Sequence, residues 1–324
     1  MAFQAELEDG IAAVKAAARV CRTVQQDLVT AETLEKKDKS PVTVADFAAQ
    51  AIVCAFLAKA LPADPLVGEE DAADLRDDAQ TPLREAVVKQ VAAGMEEAVD
   101  TEQVLAWIDR GNSEGREKRY WTLDPIDGTK GFLRGEQYAI ALALIEDGEV
   151  VLGLLGCPNL EHGNQKGTLF VATRDGPATV QPLFEEGAAQ IISVSALTAV
   201  AEARFCESVE SAHSNQGESA EIARLLGIEQ EPYRIDSQCK YAAVARGDAS
   251  IYLRLPTRAD YQEKIWDHAA GKIIVERAGG TVTDIHGKPL DFSRGKYLEQ
   301  NQGIVATCGA VHAEVLEAVR QVRT

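Results

Sequence analysis

The sequence predicts a mixed α/β protein, α+β in detail, organised as two halves. Three observations carry that expectation. A helical periodicity of apolar residues runs through the chain before Pro62. A hairpin signal, Asp147-Gly148, sits between two apolar runs. After residue 185 strand-like and helix-like segments alternate.

Leu7, Ile11, Val14, Ala18, Cys21, Val24 and Leu28 recur at spacings of three and four, which is one face of a long amphipathic helix. The polar stretch Glu35-Lys-Lys-Asp-Lys-Ser-Pro41 interrupts it, and a second helix is predicted from near Val44 to Leu61. Leu66-Val67-Gly68 reads as a short buried strand running into acids, and residues 71–115 as a charged, mostly helical surface excursion. Tyr120 to Asp124 is strand-like. Residues 138–146 and 149–156 pair around Asp147-Gly148, with further strands at 170–173 and 179–182. Beyond 185 the predicted strands are 191–194, 203–206, 232–235, 249–253, 280–283 and 303–307, and the predicted helices 217–226, 239–246, 264–278 and 310–322. The halves are set at 1–185 and 186–324; with no repeat and no low-complexity linker, they are expected to pack on each other.

At 324 residues, 46% of them hydrophobic, the chain can bury a sizeable core. Lys and Arg number 33 against 51 Asp and Glu, a net charge of −18, which repels a nucleic-acid backbone and argues against such a partner. A small anionic ligand would need a local positive site, and bound metal ions are one source of it. No apolar run reaches about 18 residues, so no membrane span is expected. Six dispersed cysteines without a C-x-x-C pair read as reduced thiols in or near the core. The acidic N-terminus lacks a signal-peptide core and is unlike an Arg- and Ser-rich transit peptide, so the cytosol is the expected compartment unless a leader has been removed. A monomer or homodimer with no required protein partner is expected.

Chemistry is concentrated in a few acids. In Asp124-Pro125-Ile126-Asp127-Gly128-Thr129 two carboxylates three positions apart follow a strand and precede a predicted helix start. Pro125 biases Asp124 to an extended backbone, Gly128 permits a tight turn, and the carboxylates and the Ile126 carbonyl are the hard oxygen donors that suit Mg²⁺. Backbone N–H groups at Gly128 and Thr129 would then face a phosphate. Glu69-Glu70 follows the short strand, Trp266-Asp267 opens a predicted helix, and Asp46 lies early in the second helix, where it could orient the Thr129 hydroxyl. Taken singly each block has an ordinary reading, as a turn, a solvated acid run or a helix cap. His268 reads as a packing or capping residue.

Together and in this order, Asp, Glu-Glu, Asp-Pro-Ile-Asp-Gly-Thr and Trp-Asp-x-Ala-Ala resemble the lithium-sensitive, magnesium-dependent phosphatases of the inositol monophosphatase superfamily. That resemblance implies a layered αβαβα sandwich with a cleft between its halves. It implies that Glu69, Asp124, the Ile126 carbonyl, Asp127 and Asp267 bind two or three Mg²⁺ ions, that Asp46 and Thr129 activate water, and that Glu70 stands behind the ligands.

Further segments are similar to the 3'(2'),5'-bisphosphate nucleotidase branch: Lys39-Ser-Pro-Val-Thr43, Trp121-Thr-Leu-Asp-Pro-Ile-Asp-Gly-Thr-Lys-Gly-Phe132, Glu207-Ser-Val-Glu-Ser-Ala-His213, Asp236-Ser-Gln-Cys-Lys-Tyr241, Tyr252-Leu-Arg-Leu-Pro256 and Tyr261-Gln-Glu-Lys-Ile-Trp-Asp-His-Ala-Ala-Gly271. The resemblance implies that His213, Ser237, Lys240 and Arg254, with Gly128 and Thr129, bind substrate. The implied reaction is hydrolysis of 3'-phosphoadenosine 5'-phosphate to AMP and phosphate, with 3'-phosphoadenylyl sulfate as a second substrate. A second phosphate needs cations, and Lys240 and Arg254 could supply them as point charge and planar fork. The rival readings are an inositol monophosphatase or inositol polyphosphate 1-phosphatase, separated by a substrate comparison, and a non-catalytic phosphonucleotide sensor, separated by binding without phosphate release.

Overall fold

The apolar stripe of the N-terminal periodicity is buried in α1 (Gln4–Leu28), where Val14, Ala17, Ala18, Cys21 and Val24 are fully enclosed. Its partner is α2 (Ser40–Ala60), which starts earlier than predicted because Pro41 falls in the first turn, where its missing N–H costs no helix bond. The computed structural model describes residues 3–28, 40–209, 216–256, 258 and 260–323. Over Pro41–Ala60 α2 is long and apolar enough to cross a bilayer, with mean hydropathy 1.7, which corrects the expectation that no such segment exists. The reason for that composition is burial on every side: 83% of the apolar window lies inside the core, against α1, α3 (Thr81–Met95) and α4 (Thr101–Asp109).

The first sheet has seven strands in chain order: β1 (Leu66–Gly68), β2 (Arg119–Asp127), β3 (Ala139–Glu146), β4 (Glu149–His162), β5 (Gln165–Thr173), β6 (Thr179–Pro182) and β7 (Gln190–Ile191). Among the described residues of this sheet, only the β1–β2 pair is parallel. The Asp147-Gly148 hairpin forms as predicted, with both residues at positive φ. The predicted strand 191–194 shrinks to β7 and joins this first sheet. Beyond it the Val194 N–H donates to the Ala278 carbonyl, so the chain runs along a helix end instead of a strand.

The second sheet orders its strands β11 (Thr281–Thr283), β12 (Ile304–Thr307), β10 (Ile251–Arg254), β8 (Phe205–Glu207) and β9 (Tyr233–Arg234). Between the two sheets lie α7 (Cys239–Ala245) and α8 (Ala269–Arg277). The outer face of the second sheet carries α6 (Gln216–Leu226) and α9 (His312–Val322).

Strand alternation sorts the side chains into three cores. Trp121 and Leu123 face α1 and α2, whereas Tyr120 faces α7 and α8. Tyr252 turns to the same central layer, and Ile251 and Leu253 pack outward on α6 and α9. The layers therefore run helix, sheet, helix, sheet, helix, the expected αβαβα sandwich. The central helices belong by sequence to the second half but pack against the first sheet, so the halves share a layer. All six cysteines are buried and unpaired, as the sequence implied.

One predicted helix is broken. Residues 264–278 split into a 3₁₀ turn, Ile265–Asp267, and α8, which begins only at Ala269. The Gln238 side chain accounts for the break. Its Nε2 donates to the Trp266 carbonyl (2.9 Å) and its Oε1 accepts from the Gly271 N–H (3.1 Å), replacing bonds that a continuous helix would make itself.

Candidate active site

Asp124 and Asp127 owe their common direction to an irregularity in β2. Asp124 pairs with Ala141 and Asp127 with Ala139, so three residues of β2 advance against two of β3. In a regular strand residues three apart face opposite sides, and the one-residue bulge resets that alternation. Both carboxylates then line a cleft of about 390 Å³ together with Glu69, Ile126 and Asp267. Gly128 follows at φ 96°, a left-handed turn that lets α5 (Thr129–Arg134) start at once. A Cβ at Gly128 would lie 2.9 Å from the Ser237 Cβ, so the glycine also lets the Ser237 loop approach.

Glu69 is brought in by β1. Leu66, Val67 and Gly68 run parallel to Trp121, Thr122 and Leu123, and the Glu69 N–H continues the pairing to the Leu123 carbonyl at 3.2 Å. The turn is pinned from α2 by Gln50, which is wholly buried. Gln50 Oε1 accepts from the Glu70 N–H (3.0 Å), and its Nε2 donates to the carbonyls of Glu70 and Ile108 (3.0 Å to the latter). The amide fits because Gly68 and Gly111 flank it; a Cβ on either would come within 2.5 Å of it. Asp46 lies one helical turn before Gln50 on α2 and is likewise buried.

Electrostatically this is a crowded acid cluster. Burial, then Glu69, Asp127, Asp267 and Asp46, pushes the Asp124 carboxyl well up, and Asp124 Oδ1 is buried without a hydrogen-bond partner. Burial also raises Asp46, reinforced by Glu70 and Glu69. Burial and Asp267 raise Asp127 to about 6, although Lys240, Arg254 and the Gln238 N–H (2.6 Å) pull the other way. Glu70 rises to about 7 through burial, Glu69 and Asp71. Glu69 rises through burial and Asp267, partly offset by Lys264, whose Nζ is 3.4 Å away. Several hard oxygens held close, one of them with no partner, are the donor set of a divalent cation.

The opposite wall carries the cations. Ser237 (φ 64°), Lys240 and Arg254 border the same cleft. Lys240 is nearly buried, donates to the Ser237 carbonyl at 2.8 Å and lies 5.3 Å from the Tyr252 ring centre. Burial lowers its pKa, partly offset by Asp127. Arg254 pairs with Glu263 (2.8 Å) and Asp267 (3.3 Å). Burial works against its charge, and those two carboxylates more than restore it.

The inositol monophosphatase family profile matches residues 5–324. The chain belongs to the inositol monophosphatase family. Members of this family are metal-dependent, as the acid cluster suggests. Similar family members include a Schizosaccharomyces pombe protein named 3'(2'),5'-bisphosphate nucleotidase, 45% identical over 99% of this chain and 97% of its own length. An Oryza sativa protein of the same name is 46% identical over 98% of this chain and 94% of its own. An Arabidopsis thaliana protein named 3',5'-bisphosphate nucleotidase 2 is 44% identical over 99% and 97%. Among solved structures, inositol monophosphatase from Anabaena aligns with TM-score 0.64 at 21% identity, covering 99% of this chain and 97% of that one. CysQ from Bacteroides thetaiotaomicron aligns with TM-score 0.64 at 21% identity, over 94% and 98%. At such identities these structures speak for the inositol monophosphatase fold alone.

Of the residues the sequence pointed to, Glu69, Asp124, Ile126, Asp127 and Asp267 line the cleft, with Gly128, Ser237, Lys240 and Arg254 on it as well, whereas Asp46 and Glu70 are not part of its lining and act on its acids electrostatically. Thr129 lines the cleft but is exposed, and among the described residues no hydrogen bond joins it to the buried Asp46. His213 lies outside the described residues. His268 is fully buried and bonds to Tyr241 and Glu263, a packing role as read from the sequence. Glu263, Asp267 and His268 are close enough to share an ion, but Glu263 and His268 are already bonded to each other, and Glu263 also to Arg254. Sequence reasoning missed Gln50, Gln238, Glu263 and Lys264. The spacing of Gln50 from Asp46, one turn on the same helix, was the signal available for the first.

Proposed function

We propose that this chain is a Mg²⁺-dependent phosphomonoesterase that converts 3'-phosphoadenosine 5'-phosphate to AMP and phosphate, and that also accepts 3'-phosphoadenylyl sulfate. One observation carries the reading: a single cleft joins a carboxylate cluster to Ser237, Lys240 and Arg254. The carboxylates suit a cation at the scissile phosphate, and the two cationic side chains suit a second phosphate that an inositol monophosphate lacks. The names of the full-length relatives support the same substrate.

Glu69, Asp124, the Ile126 carbonyl, Asp127 and Asp267 would hold two or three Mg²⁺ ions, with the unpartnered Asp124 Oδ1 as the clearest donor. When bound, such ions neutralise phosphate charge and act as Lewis acids. The protein's own groups do the rest. Asp46 would accept the proton of the attacking water, with Thr129 Oγ1 as the relay, although among the described residues no hydrogen bond joins the two. The water oxygen bonds to phosphorus as the bond to O3' breaks, and the leaving O3' takes a proton from solvent. Lys240, Arg254 and Ser237 hold the far phosphate, fixing the reacting one against the acids, so that positioning and charge neutralisation carry most of the catalysis. Six buried, unpaired thiols support a reducing compartment such as the cytosol.

Phosphate release with Mg²⁺ from 3'-phosphoadenosine 5'-phosphate, inositol 1,4-bisphosphate and inositol 1-phosphate tests the reading. The nucleotide should show the highest kcat/KM. A higher value on either inositol phosphate overturns the substrate assignment, and tight nucleotide binding without phosphate release overturns catalysis.

A further inference from the structure

Arg254 is not a free cation waiting for an anion. Its Nε is 2.8 Å from Glu263 Oε2, and its Nη2 is 3.0 Å from the Tyr261 hydroxyl and 3.3 Å from Asp267 Oδ2. Glu263, 2% exposed, also meets His268 Nε2 at 3.0 Å. His268, fully enclosed, meets the Tyr241 hydroxyl through Nδ1 at 2.8 Å. A carboxylate only accepts, so Nε2 carries the hydrogen, and in the neutral ring Nδ1 accepts from Tyr241. The chain of bonds thus runs from Tyr241 on α7, next to Lys240, through the residue before α8 to Arg254 at the end of β10.

The consequence is directional. A guanidinium anchored at Nε has its Nη edge fixed at the cleft, where Nη2 already meets Asp267 at 3.3 Å; one without that anchor is free to swing fully onto the carboxylates of Asp267 and Asp127. We propose that Glu263, held by His268 and Tyr241, is the positioning residue that presents Arg254 to the substrate's second phosphate. The inference rests on the assignment of that phosphate to Arg254 made above. Buried polar chains with every member satisfied specify one geometry, and cutting one link releases the rest.

The test compares 3'-phosphoadenosine 5'-phosphate with adenosine 3'-monophosphate, which offers the same scissile bond without the second phosphate. In Glu263→Gln, KM for the bisphosphate rises at least about tenfold, with a smaller change in kcat, and the bisphosphate-to-monophosphate ratio of kcat/KM falls by about the same factor. Tyr241→Phe, which removes one hydroxyl from the far end, moves the ratio the same way by a smaller factor, and melting curves confirm that each variant is folded. Adding Glu263→Gln to Arg254→Gln should cause no further loss of selectivity. Equal losses on both substrates in a folded variant, or an unchanged KM for the bisphosphate, overturn the positioning role. If Arg254→Gln itself is unselective, the phosphate assignment falls and this inference with it. If Arg254→Gln is selective and Glu263→Gln is not, only the positioning role falls.

Discussion

Asp124 shows how a residue can be poor for the fold and necessary for the chemistry. It is 2% exposed, one carboxylate oxygen has no partner, and four neighbouring acids push its proton affinity up. Without a cation such a group weakens the folded state, because the unfolded chain ionises it freely near pH 4. Asp124→Asn should therefore raise the melting temperature in EDTA at about pH 7.5, by on the order of 1 kcal/mol or roughly 2 °C, since the new amide can donate to its acidic neighbours. The same change should lower turnover at least about 100-fold. Calorimetry in EDTA and a phosphate-release assay check both halves. A variant that melts lower in EDTA would show that the carboxylate is not under electrostatic stress.

At the scale of elements, the site is a product of how β1, β2 and α2 meet. Gln50 on α2 makes three hydrogen bonds that fix the turn after β1, so Gln50→Leu leaves the N–H and the carbonyl of Glu70 unpaired and takes one of two donors from the Ile108 carbonyl, which keeps the Gly111 N–H. The expected cost is about 3 kcal/mol in denaturant unfolding, together with weaker Mg²⁺ protection against melting, because Glu69 loses its support. Unchanged Mg²⁺ protection in the variant would show that the Gln50 tether does not set the ligand geometry. Most elements were legible because their signals are local: the α1 stripe, the Asp147-Gly148 hairpin, and the acids that end β1 and β2. What escaped depends on distant partners. Nothing near Trp266 announces that Gln238 will interrupt the helix there, and nothing in the order of strands announces that β7 closes the first sheet. The acid cluster was legible as a pattern of residue types, whereas the clasp of Glu263 on Arg254 appears only once β10 and the turn before α8 are folded together.

For the whole molecule, net charge −18 and a cleft crowded with acids that its few cations only partly offset make stability depend jointly on protons and metal. In the ion-free protein burial and neighbouring acids push Asp127 up to about 6 and Glu70 up to about 7, and raise Asp46, Glu69 and Asp124 as well. Unfolded carboxylates titrate near 4, so between about pH 4 and 7 the native state binds more protons than the unfolded one. These groups therefore favour folding below that window, and their contribution is lost as pH rises through it. Mg²⁺ needs the same carboxylates ionised, so its stabilising effect must grow as protons leave. At about 100 times its dissociation constant an ion adds about 2.7 kcal/mol, or roughly 5 °C. The melting shift from EDTA to Mg²⁺ should then be clearly larger at about pH 7.5 than at about pH 5.5, where protons compete for the site. NaCl at matched ionic strength should not reproduce it, because screening acts on the surface charge and not on coordination. A shift of equal size at both pH values, or one that NaCl matches, would mean that Mg²⁺ acts on the overall acidity of the chain and not on the cluster formed by Glu69, Asp124, Asp127 and Asp267.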